Sequence, residues 1–221
     1  MNMLDFYIDF AYYYDTKVNL GGDDMNETLH KAIQENGGMI STRQVLDLGI
    51  SKTTLTNYVR SGKIERVGNG IYMLPDTIED DMYSLSLCSK WIVFSHDSAL
   101  FLNQQAERTP FSHSITIPSN ASVPKSIRPN VNCYYVKPEL YKLGITTRKT
   151  TFGHNVPCYD PERTICDLLR SRSHFSVELI IEAIKAYANS NKKDLNRLSE
   201  YAEQFHVIKA LKPYLEVLLS A

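Results

Sequence analysis

The chain has 221 residues, 43% of them apolar and 22% charged, and its formal net charge is -1. Those values describe a soluble globular protein with a real core, arranged as one large unit or two small ones. Neutrality excludes an overall basic field, so any nucleic-acid contact must come from a local patch.

The chain opens on "MNMLDFYIDFAYYYDTKVNLGGDD". This stretch is aromatic-rich and acidic and has no basic start, so it does not read as a signal peptide. It is an extra helix, a partner-binding segment or an upstream artefact, because a helical pattern begins only after Met25. Asn26 caps a first helix through about Glu35, which "NGG" stops. Ser41 caps a second, "STRQVLDLG". Ser51 caps a third, which runs to Arg60 or Ser61 and ends at Gly62. "IERV" and "GIYML" then read as two strands around a "GNG" turn, closed by Pro75. Three short helices and a hairpin in this order predict a winged helix-turn-helix over 26–75.

Beyond it, Asp76 to Lys90 reads as a linking helix and "WIVFS" as a buried strand. "SHDSALFLNQQ" reads as a helix capped by Ser95. "HSITIP", "VNCYYV" and "ITTRKTTF" are predicted strands, with a short one near Val156. Asp160-Pro161 opens a helix with Asp as N-cap and Pro at the first position. Three periodic segments follow, "SVELIIEAIKAYANS", "DLNRLSEYAEQF" and "VIKALKPYLEVLL". The predicted fold is therefore α+β: a winged helix-turn-helix, then a mixed α/β domain over 76–221 with a C-terminal helical cluster. Residues 1–25 form an extension of open role.

Cys88, Cys133, Cys158 and Cys166 form no C-x-x-C pair and read as free thiols in a reducing cytosol. No apolar run approaches the ~18 residues of a membrane span. No cofactor or metal is expected.

On a helix from Ser51 to Arg60, Leu55, Tyr58 and Val59 fall at i, i+3 and i+4 and face the core. Lys52, Thr53, Thr56, Asn57 and Arg60 are left outside. Asn can pair with adenine in bidentate fashion, Thr offers a hydroxyl and a methyl, and Lys and Arg reach phosphate or guanine. No carboxylate sits on that face to repel phosphate. Lys63, Arg66 and Asn69 on or beside the hairpin, with Arg43 on the second helix, extend the basic stretch. A second basic segment holds Lys125, Arg128, Arg148 and Lys149, with Lys137 and Lys142. It reads as a second DNA surface or as scattered solvated charge. The alternative for the whole motif is a winged helix used for protein contact or scaffolding.

"GGMISTRQVLDLGISKTTLTNYVRSGKIERVGNGIYML" resembles the N-terminal domain of the AbiEi family, antitoxins of bacterial AbiE abortive-infection (phage-resistance) systems. "FSHDSALFL", "ITIPSN" and "DPERTICDLL" resemble the body of that family in the same order. The resemblance implies a cytoplasmic transcriptional autorepressor that binds inverted repeats in double-stranded DNA of its own promoter. It also implies a type IV antitoxin, which counters a nucleotidyltransferase-like toxin without a stable complex. Carried over, the reading helix is Lys52 to Arg60 and the wing is Lys63 to Tyr72. Tyr58 departs from the pattern, where an aliphatic residue is expected.

"SHDSA" places Ser95, His96 and Asp97 side by side, but adjacent side chains diverge and do not build a triad. Asp160 is explained by its capping role, and Arg163 reads as a structural ion-pair partner or as a DNA contact. No Glu is followed two residues later by Lys, so a metal nuclease site is not present in the pattern. The expectation is a protein without catalytic residues. The alternative is a protein-interaction or enzymatic module that acts on the toxin or its substrate.

Overall fold

The computed structural model describes residues 25–68 and 70–219. It is a mixed α/β protein with two sheets. Local capping chemistry sets the first elements. The Asn26 side chain accepts from Leu29 N to start α1 (Glu27–Glu35). Strand β1 (Met39–Ser41) leads into α2 (Thr42–Asp47) through a capping box between Ser41 and Gln44, in which each satisfies the other's free amide. Ser51 caps α3 (Lys52–Arg60) by accepting from Thr54 N.

Strands β2 (Glu65–Gly68) and β3 (Ile71–Met73) form the hairpin. β1, which the sequence reading did not anticipate, pairs antiparallel with β3 and completes a sheet of order β1-β3-β2. Leu29, Ile33, Ile40, Val45, Leu55 and Ile64 make one buried core beneath these elements.

The segment from Asp76 is helical only as α4 (Asp81–Leu87), so the expected linking helix is shorter than its pattern. Asp80 is its N-cap, accepting from Tyr83 N, and Asp76 stands at a positive φ. Then come β4 (Val93–Phe94), α5 (His96–Leu102), β5 (His113–Pro118), β6 (Val131–Val136), the short α6 (Pro138–Tyr141), β7 (Ile145–Lys149) and β8 (Asn155–Tyr159). The second sheet has the order β6-β5-β4-β8-β7. Pairs β5–β6 and β4–β8 are parallel, and β4–β5 and β7–β8 antiparallel.

Strand alternation divides the side chains. Phe94, Ile115, Ile117, Val156 and Cys158 join Met82 and Leu85 of α4 in one core. Val93, Val136 and Tyr159 join Tyr141 in a smaller cluster. The chain ends in α7 (Pro161–Arg170), α8 (Val177–Ala188), α9 (Leu195–Gln204) and α10 (Ile208–Leu219), which share a third core with Leu100 of α5.

The two sheets' units meet at a ring. His154 Nδ1 lies 2.7 Å from Asp80 Oδ2, and its imidazole stacks on Tyr83 with centroids 4.4 Å apart. The Thr150 hydroxyl donates to the same Asp80 oxygen. The other edge of the imidazole faces Gly37, at φ 67, where any Cβ would overlap the ring. Leu74 N donates to Gly38 O across the base of the small sheet (3.0 Å). Among the described residues, no helix is long and apolar enough to cross a membrane.

Candidate nucleic-acid interface

Helix α3 sorts its side chains as the i, i+3, i+4 spacing demands. Leu55 is buried, and Tyr58 and Val59 are half-buried against the small core. Lys52, Thr53, Thr56, Asn57 and Arg60 are all exposed. The Thr56 hydroxyl donates to Lys52 O one turn back (3.0 Å), so it meets a ligand with its lone pairs and its methyl. Tyr58, the departure from the family pattern, has a specific task. Its phenol oxygen accepts from Asn26 N (3.0 Å), tying α3 to the start of α1. An aliphatic residue would pack there but could not make that bond.

The hairpin is fixed to α2 rather than left free. Thr42 donates twice to Gly70 O, from its amide (2.7 Å) and its hydroxyl (2.9 Å). Gly70 is at φ 76, and a Cβ there would press on Thr42 Oγ1 at 2.8 Å, so only glycine allows this approach. Arg66 is exposed on β2 opposite Tyr72, with a register shift between Arg66 and Gly68 that bends the strand toward its tip. Lys63 is half-buried, with its ammonium 5.6 Å from the Tyr58 ring centroid. Arg43 is exposed on α2. Asn69, expected at the hairpin tip, lies outside the described residues. The acidic side chains nearest in sequence, Asp47 and Glu65, lie off α3, so its outer face carries cations, hydroxyls and one carboxamide.

The second basic segment is not one surface. Lys125 and Arg128 precede β6 and are exposed at one edge of the large sheet. Arg148 and Lys149 lie on β7, the opposite edge strand. Arg148 is also partly committed: its Nε donates to Asn103 Oδ1 (2.7 Å) and its Nη1 to Thr146 Oγ1 (3.1 Å). Sequence proximity suggested a shared face because strand order is invisible in it.

Residues 27–75 match the family described as transcriptional regulator, AbiEi antitoxin. The match runs from α1 to the end of the hairpin, the stretch that the sequence resemblance pointed to, and stops before the large sheet. The fold is similar to that of the RV2827C protein from Mycobacterium tuberculosis, a crystal structure with a TM-score of 0.55 and 13% identity. That similarity covers 83% of this chain and 74% of the other. No curated protein matches the sequence.

In the remaining unit, one sequence reading is revised and one open choice is decided. Ser95 does not cap α5 with its side chain. Its hydroxyl instead shares a 2.9 Å hydrogen bond with His96 Nδ1, a contact between neighbours that the left-handed backbone of His96 (φ 50) accompanies. His96 Nε2 meets Ser171 Oγ at 3.1 Å. The imidazole is 2% exposed, stacked on Tyr134 (3.7 Å) and Phe175 (5.4 Å). Burial lowers its pKa to about 4, so it is neutral at physiological pH.

Arg163 is fully buried, which removes it as a DNA contact. Its guanidinium lies between Tyr159 and Phe205, pairs with Asp167 (3.0 Å) and donates to the carbonyls of Leu140 and Leu143. Asp160 caps α7 as read, accepting from Arg163 N. A cleft of about 1020 Å³ opens between α5, the loop after it, the β7–β8 turn and α8. Asp97, Gln105, Arg108, Lys149 and Glu182 are among the residues that line it, and burial raises the Asp97 carboxyl above its usual range.

Proposed function

We propose that the chain is a cytoplasmic antitoxin and transcriptional autorepressor of an AbiE-type toxin–antitoxin operon. In this reading residues 26–75 are a winged helix-turn-helix. Helix α3 enters the major groove of an inverted repeat in the operon's own promoter, and the β2–β3 hairpin is the wing. The observation that carries it is the outer face of α3: Lys52, Thr53, Thr56, Asn57 and Arg60 exposed together with no carboxylate among them. Free amides at the α3 N-terminus favour a phosphate there. Asn57 and Arg60 offer the fork geometries that read adenine and guanine. Lys63, Arg66, Arg43 and Asn69 would set register on the backbone. The C-terminal unit then counters a nucleotidyltransferase-like toxin without forming a stable complex with it.

Gel shifts on the chain's own upstream region test the reading. Asn57→Ala and Arg60→Ala should each cost about 1–3 kcal/mol of specific affinity while the circular dichroism spectrum is unchanged. Lys52→Ala should weaken all sequences alike and lower the salt slope by about one. Absence of a sequence-specific shift even at low salt sinks the proposal.

A second reading has its own support in the cleft beside α5 and α8. Its mixed charges and carboxamides suit a module that acts on the toxin or its substrate. Loss of toxin neutralisation in Lys149→Glu, with the operator shift intact, would favour it.

A further inference from the structure

A groove of about 490 Å³ runs between the end of α7, the outer side of α8 and α10. Its floor is Leu169, Val177, Ile180, Ile181, Ile184 and Tyr214, and its basic rim is Arg172 and Lys185. No acidic residue is among the described residues that line it. Val177 is 60% exposed and Ile181 half-buried, and both stand beside Ile180 and Ile184, which reach into the helical core. Pro213 also lines the groove.

We propose that residues 4–14, "LDFYIDFAYYY", dock in this groove of the same chain. The segment supplies what the groove lacks. It offers Leu4, Phe6, Tyr7, Ile8 and Phe10 for the floor. Asp5 and Asp9 stand among these side chains, Asp15 follows, and no Lys or Arg occurs before Lys17, so its charge is opposite to the rim of Arg172 and Lys185. The ten residues between that segment and Met25, 15–24, span up to roughly 35 Å when extended, about twice the radius of the fold they must follow. A compact fold of this size has a radius of gyration near ~17 Å. Apolar anchors at close spacing entering a groove between helices are a common mode of peptide recognition.

The test uses the full-length chain with a benzophenone amino acid in place of Phe10. Irradiation should cross-link position 10 to peptides within 177–185 or 208–214. In an equal mixture of light and heavy isotope-labelled protein, these products should contain one label only. Val177→Lys and Lys185→Glu, both at exposed positions, should each reduce the cross-link severalfold. Deletion of residues 1–20 should speed amide exchange in α8 and α10. Cross-links that map elsewhere, mixed-label products (the groove then takes a second copy), no cross-link, or exchange unaltered by the deletion would each overturn the proposal.

Discussion

His96 and Arg163 show how the interior treats ionisable side chains, and in opposite ways. Arg163 is surrounded by two aromatic faces, a carboxylate and two carbonyls. His96 loses its charge because two serine hydroxyls and two ring faces surround it. A stability consequence follows for the histidine. Its folded pKa, about 4, lies below the ordinary 6.5. Between those values the unfolded chain takes up a proton that the folded one refuses, so this contribution to stability is full above pH 6.5 and is lost as pH falls toward 4. The total is roughly 3 kcal/mol. Urea unfolding at stepped pH should therefore show a shallower pH dependence between 4 and 6.5 in His96→Gln than in the parent chain. Equal slopes would place the proton uptake elsewhere. Neither environment was legible in the sequence. "SHDSAL" and "DPERTICDLL" display the residues, but Ser171, Tyr134, Phe175 and Phe205 arrive from distant segments.

Short elements follow their caps. Helices α1, α2, α3 and α7 stand where Asn26, Ser41, Ser51 and Asp160 predicted them, because each cap satisfies an amide within three residues and needs no tertiary partner. Strands β1 and β4 were hidden or overextended, since three and two residues carry no readable alternation. What makes β1 a strand is its partner β3, some thirty residues on. The attachment of the hairpin to α2 is of the same long-range kind, and Gly70 tests it. Gly70→Ala combines a disfavoured φ with pressure on Thr42 and should cost at least about 1 kcal/mol. Amide exchange over 65–73 should rise more than exchange over α1. Uniform acceleration across the N-terminal unit would mean that the hairpin and the helices open together.

At the scale of the molecule, the joint between the units is a stacked imidazole rather than a flexible tether. The sequence announced "NGG" as a helix stop. That Gly37 is also a seat for His154 depended on the approach of the β7–β8 turn. His154→Ala removes the ring from between Gly37 and Asp80. Exchange at residues 37–39 and 77–83 should quicken, while α3, whose core lies wholly within the first unit, keeps its protection. Unchanged exchange at the joint would show that the stacked ring is not what holds it.

The strand order of the large sheet carries one more consequence. Four interstrand steps, about 19 Å, separate the β6 edge from the β7 edge. Lys125 and Arg128, before one edge strand, and Lys149, on the other, are therefore held apart by the width of the sheet. If α3 reads an operator as proposed, these are two separate places for a backbone contact, and charge reversal at one edge leaves the other untouched.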